Sequence, residues 1–364
     1  MKKRGVFSIF IALVVVLTML SGCTNVKEAS SPEKQEPVVK EEEKAKIGIV
    51  FTTAGLGGQS FNDLVYEGVK RAEKELGIEY DYVEPKSVSD EEIVQDEMSG
   101  SGEYDLIICI GFEQVDALKR VAAQYPEQKY AMIDATIDLP NVSSYVSKDN
   151  EGSFLVGVLA ALAKEKGIDS RLSNNKTFGF IGGVDSPVIR KFNAGFEAGV
   201  RYVNKDNKIM SDYAGSFNDP TNAKVISGTM NQKGADIIYH AAGGSGVGLF
   251  QAAKEKDFIA IGVNSNQNGT DPDHIMASML KLVDSAAYSV IKDVVDDKFQ
   301  GGTHTLGIKE GGVGYTLEGS NIKVNQEIVD IVESIKEKIS TGEIAIPEKI
   351  EDVNAFVEKN QYNQ

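Results

Sequence analysis

The chain has 364 residues, 41% hydrophobic and 25% charged, with a formal net charge of −16. That length allows two domains of ordinary size, each with its own core. So acidic a surface repels phosphate backbones and anionic lipid, which argues against nucleic acid as a partner and against membrane contact through surface charge.

The N-terminus offers a different route to a membrane. Lys2, Lys3 and Arg4 precede an almost wholly apolar run over 6–20, too short for a comfortable bilayer span and suited to a signal-peptide core. Leu20-Ser21-Gly22-Cys23 follows and resembles a bacterial lipobox. The resemblance implies a signal peptide over 1–22, cleavage before Cys23, and lipid on its sulfur and new amino terminus. Each buried CH₂ contributes about 0.8 kcal/mol, so several acyl chains make a lasting anchor on the extracytoplasmic face of the cell membrane. Residues 23–45 include Ser30-Ser31-Pro32 and Lys40-Glu41-Glu42-Glu43-Lys44, have almost nothing to bury, and read as a flexible tether. Acylation of Cys23 leaves Cys109 without a disulfide partner, and its place in the apolar run 106–110 makes it a core thiol.

From Lys46 short apolar runs alternate with helix-like segments. Strands are expected at 47–51, 79–83, 106–110, 131–133 and 142–145. Helices are expected at 61–76, closed by Gly77, and at 89–98 and 114–124. The rhythm restarts with a helix at 154–163, a strand at 177–181, a helix at 192–203, strands near Tyr213 and at 237–239, a helix at 247–254 and a strand at 258–263. A strand at 275–279 that crosses back and a helix at 283–294 complete the reading. This alternation predicts an α/β protein with parallel sheets covered by helices on both faces. An internal echo supports two similar lobes: Phe61-Asn62, five residues, Gly68-Val69-Lys70, and again Phe192-Asn193, five residues, Gly199-Val200-Arg201.

In open parallel sheets, ligands bind beyond the carboxyl ends of the strands. The residues there are Thr52, Thr53, Phe61 and Asn62 after the first strand, Asp134 after the strand at 131–133, Gly243 and Gly244 after 237–239, and Asn264 after 258–263. Phe61 and Phe192 would approach from opposite lobes, and two aromatic faces suit a flat ligand. The same pattern fits two helix-start core residues, and Phe196 is a second candidate on that helix. Asp134 could accept hydrogen bonds from two hydroxyls or cap a turn. Lys281 could reach a sugar oxygen or point to solvent. Neither glycine-rich loop, 55–58 or 243–246, is a dinucleotide or P-loop fingerprint, so the glycines serve close backbone approach. His240, His274 and His304 form no metal-ligand motif, and no GxSxG elbow occurs, so no catalytic residue, metal or cofactor is expected.

Several stretches together carry a family resemblance: Ser60-Phe61-Asn62, Tyr130-Ala131-Met132-Ile133-Asp134, Phe180-Ile181-Gly182-Gly183, Phe192-Asn193-Ala194-Gly195-Phe196, Ala260-Ile261-Gly262-Val263 and Ser278-Met279-Leu280-Lys281. The chain from Lys46 to about Leu317 resembles the basic membrane protein family of lipoproteins, the purine nucleoside receptor type of ABC-transporter substrate-binding protein. The resemblance implies a type I periplasmic-binding-protein fold, with two Rossmann-like lobes joined by crossing hinge strands. The first lobe would take 46–148 plus about 268–300, the second 149–267 plus about 301–350. It also implies a monomer that works with permease and ATPase subunits. A nucleoside would sit between Phe61 and Phe192, its ribose held by Asp134, Lys281 and a residue after Val263. Two positions depart from the family pattern: Asn264 and Thr53 are neutral where members carry acids. The other readings of the same cleft are a ligand-sensing regulatory lipoprotein and a receptor for another small ligand such as a sugar; the absence of tryptophan weighs against a sugar.

Overall fold

The computed structural model describes residues 44–57 and 61–362. The expected signal segment, Cys23, nearly all of the tether, Gly58 and Ser60 lie outside the described residues.

The strands expected in the first half form, buried except for the edge strand at 79–83, and the 3.6-residue patterns between them become helices. The order is β1 (Lys46–Val50), α1 (Phe61–Leu76), β2 (Glu79–Val83), α2 (Val88–Ser101), β3 (Leu106–Ile110), α3 (Val115–Gln124), β4 (Tyr130–Ile133) and β5 (Val142–Ser147). Gly77 ends α1 at φ 72°, which an L side chain adopts only with strain. The second half runs α4 (Asp149–Glu165), β6 (Thr177–Gly182), α5 (Pro187–Val203), β7 (Lys208–Tyr213), α6 (Pro220–Gln232), β8 (Ile237–Ala241), α7 (Gly246–Lys256), β9 (Ile259–Gly262) and β10 (Ile275–Lys281). Then come α8 (Val283–Val295), β11 (Gly302–Leu306), β12 (Val313–Thr316), α9 (Gln326–Ser340) and α10 (Ile350–Lys359).

Two six-stranded sheets result, ordered β11-β5-β4-β3-β1-β2 and β12-β10-β9-β8-β6-β7. The orders correspond strand for strand, so β1 answers to β6 and β4 to β9. All recorded pairings are parallel except that of β10 with β12. The chain passes between the sheets three times: from β5 into α4, from β10 into α8, and from β11 to β12. The backbone N–H of Lys148 donates to Leu306 O (3.0 Å) and that of Leu282 to Gly312 O (2.9 Å), so the crossing segments are bonded to one another. Glu151 secures the third: its carboxylate accepts from Ile308 N at 2.8 Å and pairs with Lys148 Nζ at 2.9 Å.

The crossings fall elsewhere than the sequence reading places them. Residues 275–281, expected with the first lobe, pair in the second sheet, and 302–306, expected with the second, pair in the first. An apolar run such as Ile275-Met276-Ala277 reveals a buried strand but not which sheet it joins. The exposed edge strand β11 carries no apolar run at all. Helix α6 also escaped the reading, although Asp219 accepts from Asn222 N at 2.9 Å as an N-cap and Pro220 occupies the first turn. Helix α5 starts at Pro187 rather than 192, capped by Ser186.

The echoed glycines have a packing cause. Helix α1 lies against α8, and α5 against α4. A Cβ on Gly68 would stand 2.2 Å from Asp284 O, and one on Gly199 2.2 Å from Phe154 O. Each glycine lets a lobe's first helix touch the backbone of the helix entering from a crossing. In a helix interior, alanine is ordinarily better than glycine by about 1 kcal/mol. Here the obstructing atom belongs to a backbone, and overpacking at about 1–3 kcal/mol outweighs that gain. Gly68→Ala is therefore expected to lower the urea unfolding midpoint; a midpoint at or above the wild-type value would show that α1 and α8 can part freely.

Candidate functional site

The carboxyl ends of both sheets border one cavity of about 320 Å³. On the first-lobe side, β1 runs into Thr52 and the loop to Gly57. Asn62, nearly buried, pins this loop by donating from Nδ2 to Gly55 O (2.8 Å) and Thr52 Oγ1 (3.0 Å). The Leu56 and Gly57 amides donate to Glu84 and Asp63, both at 2.8 Å. β3 ends in Gly111 at φ 88°, followed by a 3₁₀ turn over Phe112–Gln114. The buried Gln114 amide donates to Val50 O, Phe51 O and Ile110 O at 2.9–3.0 Å, tying the ends of β1 and β3 together. Gln95 Nε2 donates to Gln114 Oε1 at 2.8 Å from behind.

The second-lobe wall follows the same plan. After β8 a 3₁₀ turn, Gly243–Ser245, takes the place of Phe112–Gln114. Its Ser245 N–H donates to Phe217 O (3.0 Å), and Ser245 Oγ accepts from Asp219 N (2.7 Å), which sets Phe217 and Asn218 on the cavity. A Cβ on Gly183 would stand 2.3 Å from the Phe217 ring, so the small residue makes room for the aromatic one. Val188, Ile189 and Phe192 of α5 complete this side.

Asp134 after β4 and Asn264 after β9 occupy corresponding places, and both have left-handed backbones, φ 78° and 67°. Such conformations cost roughly 1–3 kcal/mol outside glycine and persist where the surroundings fix them. Asp134 N donates to Tyr145 O (2.8 Å), and Asn264 O accepts from Lys281 N (2.9 Å).

Lys281, the last residue of β10, is 1% exposed. Its Nζ lies 2.5 Å from Asp134 Oδ1, across from the other sheet, and 3.0 Å from Asp149 Oδ1, at the start of α4. The same ammonium stands 5.4 Å from the Phe61 ring centre and 5.3 Å from that of Phe192. Both rings thus stand near one buried cation, at a distance that permits cation–π attraction. Burial disfavours the ammonium, but Asp134 and then Asp149 outweigh it and hold Lys281 above the ordinary lysine range. Burial dominates at Asp149 and raises its carboxyl well above the ordinary range, against the pull of Lys281.

Thr52, Phe61, Asn62, Asp134, Phe192, Gly243, Gly244, Asn264 and Lys281 all border the cavity; Thr53 does not. Asn62 does so while serving the loop, and Phe196 is buried against Tyr239 instead. The sequence reading missed Phe112, Glu113, Phe217 and Asn218, which sit on loops with no periodicity to read. It also missed Asp149, the first residue of a helix buried from there to Lys164. Among the described residues no group of His, Cys, Asp and Glu is arranged to hold a metal ion.

Beneath the first-lobe wall, Glu91 is fully buried and neither carboxylate oxygen has a hydrogen-bond partner. Burial, then the nearby Glu113 charge, pushes it from 4.5 to about 7. An acid with a raised folded-state pKa binds its proton more tightly when folded. Its contribution therefore favours the fold most below the unfolded value and weakens as pH climbs from about 4.5 to about 7. Glu91→Gln is expected to flatten the stability profile across that window and to raise stability at pH 8; equal pH slopes for the two proteins in urea titrations would contradict it.

A sequence profile for PnrA-like ABC transporter substrate-binding proteins, named Bmp, matches residues 45–350. The ABC transporter nucleoside-binding protein BmpA of Lactococcus lactis is 34% identical over 372 residues, covering 96% of this chain and 100% of that protein. An uncharacterized lipoprotein of Pyrococcus furiosus is 33% identical, covering 94% of this chain and 92% of its own length. Among solved structures, an ABC transporter solute-binding protein of Aeropyrum pernix matches with a TM-score of 0.79 at 33% identity, over 88% of this chain and 100% of that one. The fold is the type I periplasmic-binding-protein fold. The chain belongs to the Bmp family of PnrA-like ABC transporter substrate-binding proteins.

Proposed function

We propose that this protein is the receptor of a nucleoside importer, held to the extracytoplasmic face of the membrane by lipid on Cys23. ABC transporter substrate-binding proteins work with permease and ATPase subunits, to which this receptor would deliver its solute. One observation carries the ligand assignment: Phe61 and Phe192, one from each lobe, border the same cavity, each near Lys281. A planar base fits between two such rings, and its sugar falls on the polar end. There Asp134 would accept from ribose hydroxyls, and Lys281 and Asn264 would donate to ribose oxygens. The name of the Lactococcus relative supports the same ligand class.

Calorimetry of the purified protein with purine nucleosides, uridine, free ribose and glucose tests this reading. Saturable binding of nucleosides is expected, with none for the free sugars. Phe61→Ala is expected to weaken it by roughly 5- to 150-fold, from a stacking contribution of about 1–3 kcal/mol. Sugar binding without nucleoside binding would reject the assignment. The anchor is tested separately: Cys23→Ser is expected to move the protein from the membrane fraction to the soluble one, and an unchanged distribution would refute lipidation at that residue.

A further inference from the structure

We infer that Glu113 reads the edge of the bound base and selects a purine nucleoside that presents two adjacent N–H donors, as guanosine does with N1–H and its 2-amino group. The inference rests on the nucleoside reading above and concerns which base the cleft accepts.

The sheet order supplies the direction of the ligand. Starting beside the crossings, the rim of the first sheet presents Asp134 after β4, then Phe112 and Glu113 after β3, then Thr52 and the stretch from Ala54 to Gly57 after β1. Neighbouring strands stand about 4.8 Å apart. A nucleoside whose ribose sits at Asp134 and Lys281 and whose base lies between Phe61 and Phe192 therefore runs outward past Glu113. The corresponding turn of the second lobe brings Gly243 and Gly244, which carry no side chain, to the same cavity.

The Glu113 carboxylate is ready for a ligand donor. It borders the cavity and is half-buried, and among the described residues nothing donates to it or pairs with it. Burial without a compensating cation raises its carboxyl above the ordinary glutamate range. Its backbone is firmly seated, because Gln114 next to it is bonded to three main-chain carbonyls. The Glu113 charge is close enough to the buried Glu91 to help raise its carboxyl. Asp63, the other glutamate or aspartate on this stretch of the wall, is engaged with the Gly57 amide.

An ionised carboxylate has two acceptor oxygens and no donor. Two parallel N–H groups match it in the way a guanidinium does. Adenosine would instead set its N1 lone pair against the carboxylate beside a single amino donor, and inosine would offer only one of the two N–H groups.

The test is calorimetric titration of the full-length protein in detergent with guanosine, inosine and adenosine, for wild type, Glu113→Gln and Glu113→Ala. Wild type is expected to bind guanosine at least about tenfold more tightly than adenosine, with inosine between. Glu113→Gln keeps one acceptor and gains a donor that suits adenine N1. It is expected to weaken guanosine by about tenfold while leaving adenosine within about threefold or improving it. Glu113→Ala is expected to abolish the preference, and ligand-free thermal unfolding of both variants checks that the fold is intact. Nucleosides that bind wild type with a guanosine-to-adenosine ratio unaltered in both variants would overturn the role of Glu113 and leave the nucleoside reading standing. Wild type that binds no nucleoside would overturn both.

Discussion

The arrangement turns on a buried ammonium held between two aspartates that arrive from different parts of the chain. Lys281 ends a strand of the second sheet, Asp134 follows a strand of the first, and Asp149 opens the helix that leaves one lobe for the other. Removing charges from water is costly, and the cost is met only where partners and geometry compensate. Any motion that separates the two sheets at this end must pull Asp134 from Lys281 and admit water to both. The ion pair therefore links the closure of the lobes to the occupancy of the space beside it.

The two rings both stand near this cation. Phe192 is a core residue by burial and Phe61 only partly so, yet both border the cavity. The alternatives left open by the sequence, core residue or ligand wall, are not exclusive. A ring can pack its edge into the lobe and present a face to the cleft. Phe61 begins α1 and Phe192 lies in the second turn of α5, so helices that follow parallel strands bring both rings to the cleft without any specialised motif.

Much of the frame was legible because burial leaves periodic marks. The strands of the first half and the helices at 61–76 and 283–295 follow directly from apolar spacing. The candidate cavity residues were legible by position, since a residue immediately after a buried strand can be named without knowing its side-chain direction. Thr53 shows the limit: adjacent to Thr52, it does not border the cavity. Glu113 and Phe217 were illegible because their loops acquire meaning only when a second lobe faces them. The crossings were misplaced for a related reason. Sheet membership of β10 and β11 is decided by pairing across the fold, and β11, an exposed Gly-Thr-His-Thr-Leu strand, owes its seat to neighbours such as Tyr145, whose ring stacks on His304 at 4.6 Å.

Threefold passage of the chain between the sheets has a further implication for biogenesis. The first sheet lacks its outer strand until residues 302–306 have been made, and helix α1 lacks its partner α8 until 283–295 have been made. The second core similarly draws on Ile328, Val332 and Phe356 near the far end of the chain. Neither half can finish ahead of the other during synthesis. Assembly is thus postponed until residues near the far end of the polypeptide are present.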